Sequence, residues 1–185
     1  MEATIISEEK KIFKFKICLF GSPGVGKTSL ILRYIKESFS EDLKKTIGTN
    51  FLIKEVEIDN LICRLLIWDI GGQSQFSSLR QVYFKGSQAA IGVYDITSPE
   101  SLHRILDWVN SIKKSVGSIP MILVGNKIDI EKERRIPRED ALDLAARLEC
   151  PHYEASAKMG DNVEKFFLDI TKKCLEIAKT YENVQ

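Results

Sequence analysis

Gly21-Ser22-Pro23-Gly24-Val25-Gly26-Lys27-Thr28 satisfies the pattern G-x-x-x-x-G-K-S/T, and its surroundings suit it. The apolar run Ile12 to Phe20 before it reads as a strand. Lys27 to Glu37 after it reads as a helix. A glycine-rich loop between a strand and a helix can present backbone N–H groups and a positive helix end to an anion. Glycine permits the left-handed backbone and the close approach that such a loop needs. Gly21, Gly24, Val25, Gly26, Lys27, Thr28 and Ser29 are therefore candidate phosphate-binding residues. Lys27 supplies a point charge for β- and γ-phosphates, and the Thr28 hydroxyl suits magnesium, a hard cation that prefers oxygen. The loop alone specifies a nucleoside triphosphate, not its base.

The rest of the chain alternates strands and helices, the pattern of a mostly parallel sheet covered on both faces. The expected fold is a three-layer α/β P-loop fold with a six-stranded sheet and one antiparallel edge strand. Asn50 to Ile58 and Leu61 to Trp68 form the edge hairpin, joined at Asp59-Asn60. Ala89 to Tyr94, Pro120 to Val124 and His152 to Glu154 are the remaining strands. Ser98-Pro99 opens a helix with Leu102, Ile105, Leu106, Val109, Ile112 and Val116 on one face. Pro137 starts another, with Leu142, Ala145 and Leu148 inward. Asp161 is expected to cap the last helix, with Glu164 completing a capping box. Its apolar stripe runs from Val163 through Phe166, Phe167, Ile170 and Cys174 to Ile177.

With 185 residues there is room for one domain, expected over 12–181, between a flexible extension at 1–11 and a tail at 182–185. The net charge of +1, from 27 basic and 26 acidic residues, gives no bulk attraction to nucleic acid or an anionic membrane. Four cysteines without metal-ligand spacing read as reduced structural thiols, which favours a cytoplasmic setting. Met1 to Lys11 lacks the pattern of a signal peptide. No apolar run approaches the roughly 20 residues of a membrane span.

A base reader follows the fifth strand. In open α/β sheets ligands sit beyond the carboxyl ends of strands, where Asn126-Lys127-Ile128-Asp129 falls. The Asp129 carboxylate can accept from N1–H and the 2-amino group of guanine, a donor pair that adenine lacks. The Lys127 stem can lie along a ring face. Ser156, Ala157 and Lys158, after the last strand, offer backbone N–H to the guanine carbonyl oxygen.

Taken together, Gly21 to Thr28, Thr46, Asp69 to Gln73, Asn126 to Asp129 and Ser156 to Lys158 resemble the five guanine-nucleotide motifs of the Ras superfamily. The resemblance runs from Phe13 to about Thr180. Thr46-Ile47-Gly48 with Phe51, and Trp68 ahead of Asp69, are similar to the Rab branch.

The resemblance implies a switch that binds GTP or GDP with magnesium and slowly hydrolyses GTP, in vesicle traffic or signalling. The alternative is a nucleotide-loaded binding module with little turnover. Thr28, Thr46 and Asp69 would hold magnesium, and Gly72 would donate its N–H to the γ-phosphate. Lys27, Thr46 and Gln73 would be the catalytic set, with Gln73 orienting water. Phe39 matches an aromatic that stacks on the guanine edge; a core phenylalanine is the other reading.

Phe51, Trp68 and Tyr83 match an apolar effector triad, or else pack the hairpin onto the following helix. An exchange factor and an arginine-donating activating protein are further implied partners of a monomeric switch. There are departures from the pattern. Pro23 replaces a small residue, and Asp69-Ile70-Gly71-Gly72-Gln73-Ser74 replaces Asp-Thr-Ala-Gly-Gln-Glu. Leu43 stands where many relatives have tyrosine. The final residues contain no cysteine for a lipid, so any peripheral membrane association has no lipidation motif here. The charge run Glu131 to Arg135 reads as a solvated loop, and His103 and His152 receive no catalytic role.

Overall fold

The computed structural model describes residues 10–40, 46, 48–72 and 79–182. Six strands form one sheet: β1 (Ile12–Phe20), β2 (Thr49–Ile58), β3 (Leu61–Ile70), β4 (Ala89–Asp95), β5 (Met121–Asn126) and β6 (His152–Ala155). Their order across the sheet is β2-β3-β1-β4-β5-β6. Only the β2–β3 pair is antiparallel; every other pair is parallel. The hairpin turns at Asp59 and Asn60, with φ of 51° and 61°, a left-handed pair that suits the twist of the two strands.

Side chains alternate across a strand, so β1 feeds two cores. Phe13, Phe15, Ile17 and Leu19 face a cluster closed by α1 (Lys27–Lys36) and α6 (Val163–Glu182). Tyr34 of α1 stacks on Phe167 of α6 with ring centroids 4.0 Å apart. Cys18 and Phe20 face the opposite cluster. That side is closed by α2 (Arg80–Phe84), α3 (Pro99–His103), α4 (Ile105–Val116) and α5 (Arg138–Arg147). Phe20, Phe84 and Trp108 meet there as an aromatic trio, with centroids 6.1 to 6.3 Å apart. β4 is buried along its whole length, as a parallel strand covered on both faces must be. All four cysteines are free thiols.

Three expectations need correction. The helix opened by Ser98-Pro99 is interrupted at Arg104, whose φ, ψ of −71°, −10° tighten the turn, although Leu102, Ile105, Val109 and Ile112 stay buried in one core. Leu142 does not face inward: it is 53% exposed, and α5 buries Ala141 and Leu144 beside the expected Ala145. Asp161 does not cap α6. The helix starts at Val163 after Asn162 in the left-handed region (φ 58°), and the Asp161 carbonyl accepts the Ser156 N–H at 3.2 Å.

Candidate functional site

The parallel strands deliver five segments to one edge of the sheet. Gly21 follows β1, Asp69 lies near the end of β3, and Asp95 closes β4. Asn126 closes β5, and Ser156 follows β6. Beyond β1 the chain turns into α1 through Gly26, at φ 96°. A Cβ on Gly26 would overlap the Asn126 side-chain amide, so glycine lets the loop and the β5 terminus touch. Asn126 uses that contact as a staple. Its Nδ2 donates to the Val25 carbonyl at 2.9 Å, and its Oδ1 accepts the Ala157 N–H at 3.1 Å. One 2% exposed side chain thus joins the end of β5 to the glycine-rich loop and to the segment after β6.

The base side is braced further. Ser156 Oγ donates to Asp129 Oδ1 at 2.6 Å and accepts the Met159 N–H at 3.0 Å. Lys127, at φ 76°, is held by an ion pair to Asp95 Oδ2 at 2.6 Å. The other Asp95 oxygen accepts from the Thr97 N–H and hydroxyl at 2.8 and 2.7 Å.

On the phosphate side Lys27 is 6% exposed, and its ammonium donates to the Gly21 and Ser22 carbonyls, both at 2.9 Å. Burial pushes this ammonium down to about 8, and the Asp69 carboxylate opposes the shift. Thr28 Oγ1 donates to Asp69 Oδ2 at 2.5 Å. Thr46 Oγ1 lies 2.9 Å from Thr28 Oγ1 and 3.2 Å from Asp69 Oδ2. Asp69 Oδ1 and Ser22 Oγ are buried with no hydrogen-bond partner among the described residues. A buried carboxylate oxygen in that state is costly unless something charged or polar meets it. The cluster is all oxygen, gathered around one carboxylate, and so it fits magnesium.

Gly72 lies against the phosphate loop: a Cβ there would collide with backbone atoms of Gly21, Ser22 and Pro23. The Gly71 N–H donates to the Gly48 carbonyl at 2.8 Å, tying the segment after β3 to the segment before β2. Gln73 and Leu43 lie outside the described residues. Ser29 is half-buried in the first turn of α1, and Phe39 is half-buried against the α1–α6 core. Lys158 is exposed, and its backbone carbonyl accepts from the Arg33 guanidinium at 2.5 Å.

Phe51 pairs in register with Trp68 across the hairpin, their rings 5.5 Å apart. Phe51 is 52% exposed, whereas Trp68 and Tyr83 are half-buried against the α2–α5 side. Ile53, Leu79 and Val82 add further exposed apolar surface.

Sequence reasoning missed Asp95, and it misjudged one member of the charge run. Glu131, Lys132, Glu133 and Arg135 are exposed as expected, but Arg134 is only 14% exposed. It reaches Glu154 at 2.7 Å across 20 positions of sequence. His152 sits behind the site and shares a 2.9 Å hydrogen bond with the Tyr94 hydroxyl.

The family model described as Ras family matches residues 16–176. The chain is 38% identical over 176 residues to Ras-related protein Rab-21 of Homo sapiens, covering 95% of this chain and 78% of that one. It is also 38% identical over 163 residues to Ras-related protein Rab-31 of Rattus norvegicus, covering 88% and 84%. With a Ras-family match over most of its length and Rab proteins among its relatives, this chain belongs to the Ras family as a Rab-like small GTPase.

Proposed function

We propose that the protein is a GTP/GDP switch that slowly hydrolyses GTP and changes effector binding as it does so, in membrane traffic. The observation that carries the reading is the double cluster at the strand ends. Lys27 and the Thr28–Thr46–Asp69 oxygens lie on one side, and Asn126, Asp129 and Ser156 on the other, joined through Val25. In this reading Asp129 accepts from the guanine edge, Lys127 lies along the ring, and Ala157 and Lys158 offer N–H groups to the carbonyl oxygen. Lys27 and the loop N–H groups neutralise the phosphates. Thr28, Thr46 and Asp69 would hold magnesium, which when bound draws off charge developing on the phosphate oxygens. Gln73 orients the attacking water, and Gly72 donates to the γ-phosphate. The protein's contribution is positioning and fixed electrostatics rather than covalent chemistry.

Effectors, an exchange factor and an activating protein act on the monomer through the switch segments. The exposed Phe51 face with Trp68 and Tyr83 is the effector patch, an aromatic cluster of the kind that dominates binding surfaces. No helix among the described residues is long and apolar enough to cross a membrane, so membrane contact in this reading is peripheral.

Single-turnover phosphate release from GTP-loaded protein, beside Gln73→Leu, tests the reading. Slow release by the wild type, largely lost in the variant, is the expected result. Stable GTP binding without release from either protein would replace the switch by a loaded binding module. Release unaffected by the substitution would remove Gln73 from its role.

A further inference from the structure

We propose that Arg134 and Glu154 are positioning residues of the base site, a clamp that sets how long guanine nucleotide stays bound. This rests on the guanine-nucleotide reading above and deepens it. Glu154 lies at the end of β6, two residues before Ser156. Its carboxylate is held from two sides: Oε1 accepts from Arg134 at 2.7 Å, and Oε2 forms an ion pair with the exposed Arg138 at 3.0 Å. Its backbone carbonyl accepts from Asn162 Nδ2 at 2.7 Å, which ties the same residue to the start of α6. Arg134 comes from the segment after Asp129. Its guanidinium also engages both carboxylate oxygens of Glu131, at 2.8 and 2.7 Å. That segment is fastened just beyond the end of β4 through the Arg135 and Ile136 N–H groups, both donating to the Ile96 carbonyl.

The clamp therefore joins the two segments that must cooperate on one base. Asp129 precedes Arg134 by five residues, and Ser156 follows Glu154 by two. Asp129 and Ser156 meet through one hydrogen bond, Ser156 Oγ to Asp129 Oδ1 at 2.6 Å, beside the Ala157 N–H bond to Asn126 Oδ1 at 3.1 Å. The side chains of Arg134 and Glu154 are 14% and 15% exposed. At that burial a charge-assisted hydrogen bond holds a carboxylate more firmly than an exposed pair does, and the guanidinium that makes it is itself fixed by its two bonds to Glu131. Neither residue needs to touch nucleotide. A displacement of about 1 Å at the β6 terminus would spoil the joint geometry at Ser156 and Asp129, and misplacements of that size can cost up to about a hundredfold.

The test is the dissociation of fluorescent GDP and of fluorescent inosine diphosphate, which lacks the 2-amino group. Both are measured on the full chain for wild type, Arg134→Ala, Glu154→Gln and the double variant. Each single change is expected to speed GDP release by on the order of tenfold. Inosine diphosphate should be affected less, so that the discrimination between the two narrows. The double variant should be no faster than the faster single, because the two residues act as one unit. Equal acceleration of both nucleotides, release at the wild-type rate, or single effects that multiply would each overturn the clamp. If Arg134→Ala does not fold, the isosteric Glu154→Gln decides alone. A wild type that holds no guanine nucleotide overturns the functional reading and the clamp with it. A wild type that holds it while Glu154→Gln releases at the same rate overturns the clamp only.

Discussion

The two ends of the site are built on opposite principles. At the base end the polar groups are paired within the protein: Asn126 with Val25 and Ala157, Ser156 with Asp129, Lys127 with Asp95, Glu154 with Arg134. At the phosphate end Asp69 Oδ1 and Ser22 Oγ are buried without partners among the described residues, and the Lys27 ammonium is buried against its own loop. A satisfied network contributes to folding and holds its shape without a ligand. An unsatisfied one costs stability that ligand binding recovers. In the guanine-nucleotide reading proposed above, the base end would be a preformed reader, and the phosphate end would be where binding energy is released.

The sharpest way to break this contrast is Lys27→Met. Methionine keeps the length and apolar character of the stem but removes the buried charge. Affinity for GDP should fall by at least roughly a hundredfold, the cost of removing one partner from a desolvated charge contact. The unfolding midpoint of the nucleotide-free protein should hold or rise, because replacing a buried ion by a well-packed apolar group is often neutral or stabilising. Equilibrium binding and thermal unfolding on the same preparations read both numbers. A nucleotide-free variant clearly less stable than wild type would mean that Lys27 supports the fold, and the contrast would collapse.

Asn126→Ala should show the opposite signature. It removes the hydrogen bonds to Val25 and Ala157 from a buried position. The nucleotide-free protein should lose about 2 kcal/mol, the usual cost of leaving buried backbone groups unpaired. Nucleotide affinity should fall as well, because the loop and the base segments lose their common anchor. Chemical denaturation without nucleotide is the deciding measurement. A loss confined to binding would show that Asn126 serves the ligand alone.

The same contrast explains what could be read from the sequence. The phosphate end declares itself because its requirements are local. A lysine and a threonine follow a glycine whose Cβ position is taken by another side chain, all within eight residues. The base motifs were legible because each follows a strand, and the strand order brings them together. The clamp was not legible. Arg134 and Glu154 are 20 residues apart, and nothing in either segment marks one charge of the run Glu131 to Arg135 as buried. Leu142 failed for a different reason. With Ala141, Leu144 and Ala145 around it, α5 offers two plausible apolar faces, and the buried one is shifted by one residue. Periodicity shows that a face exists, but packing decides which small residues fill it.

The smallest effect should come from His152, behind the base end. Burial holds its imidazolium below the ordinary value, Arg134 reinforces that shift, and Glu154 opposes it. The folded protein then binds fewer protons than the unfolded chain between that lowered value and about 6.5. Stability rises with pH across this window, so it is lost on acidification below about pH 6.5. His152→Gln cannot titrate, yet it can still meet the Tyr94 hydroxyl, which His152 Nε2 meets at 2.9 Å. The melting temperature of wild type relative to this variant should fall by no more than roughly 2 °C between about pH 7.5 and about pH 5.5. A difference that stays flat would mean that water reaches His152 freely in the folded state. The base end would then be less sealed than its paired network implies, and the distinction between a closed reader and an open phosphate site would have to rest on the phosphate side alone.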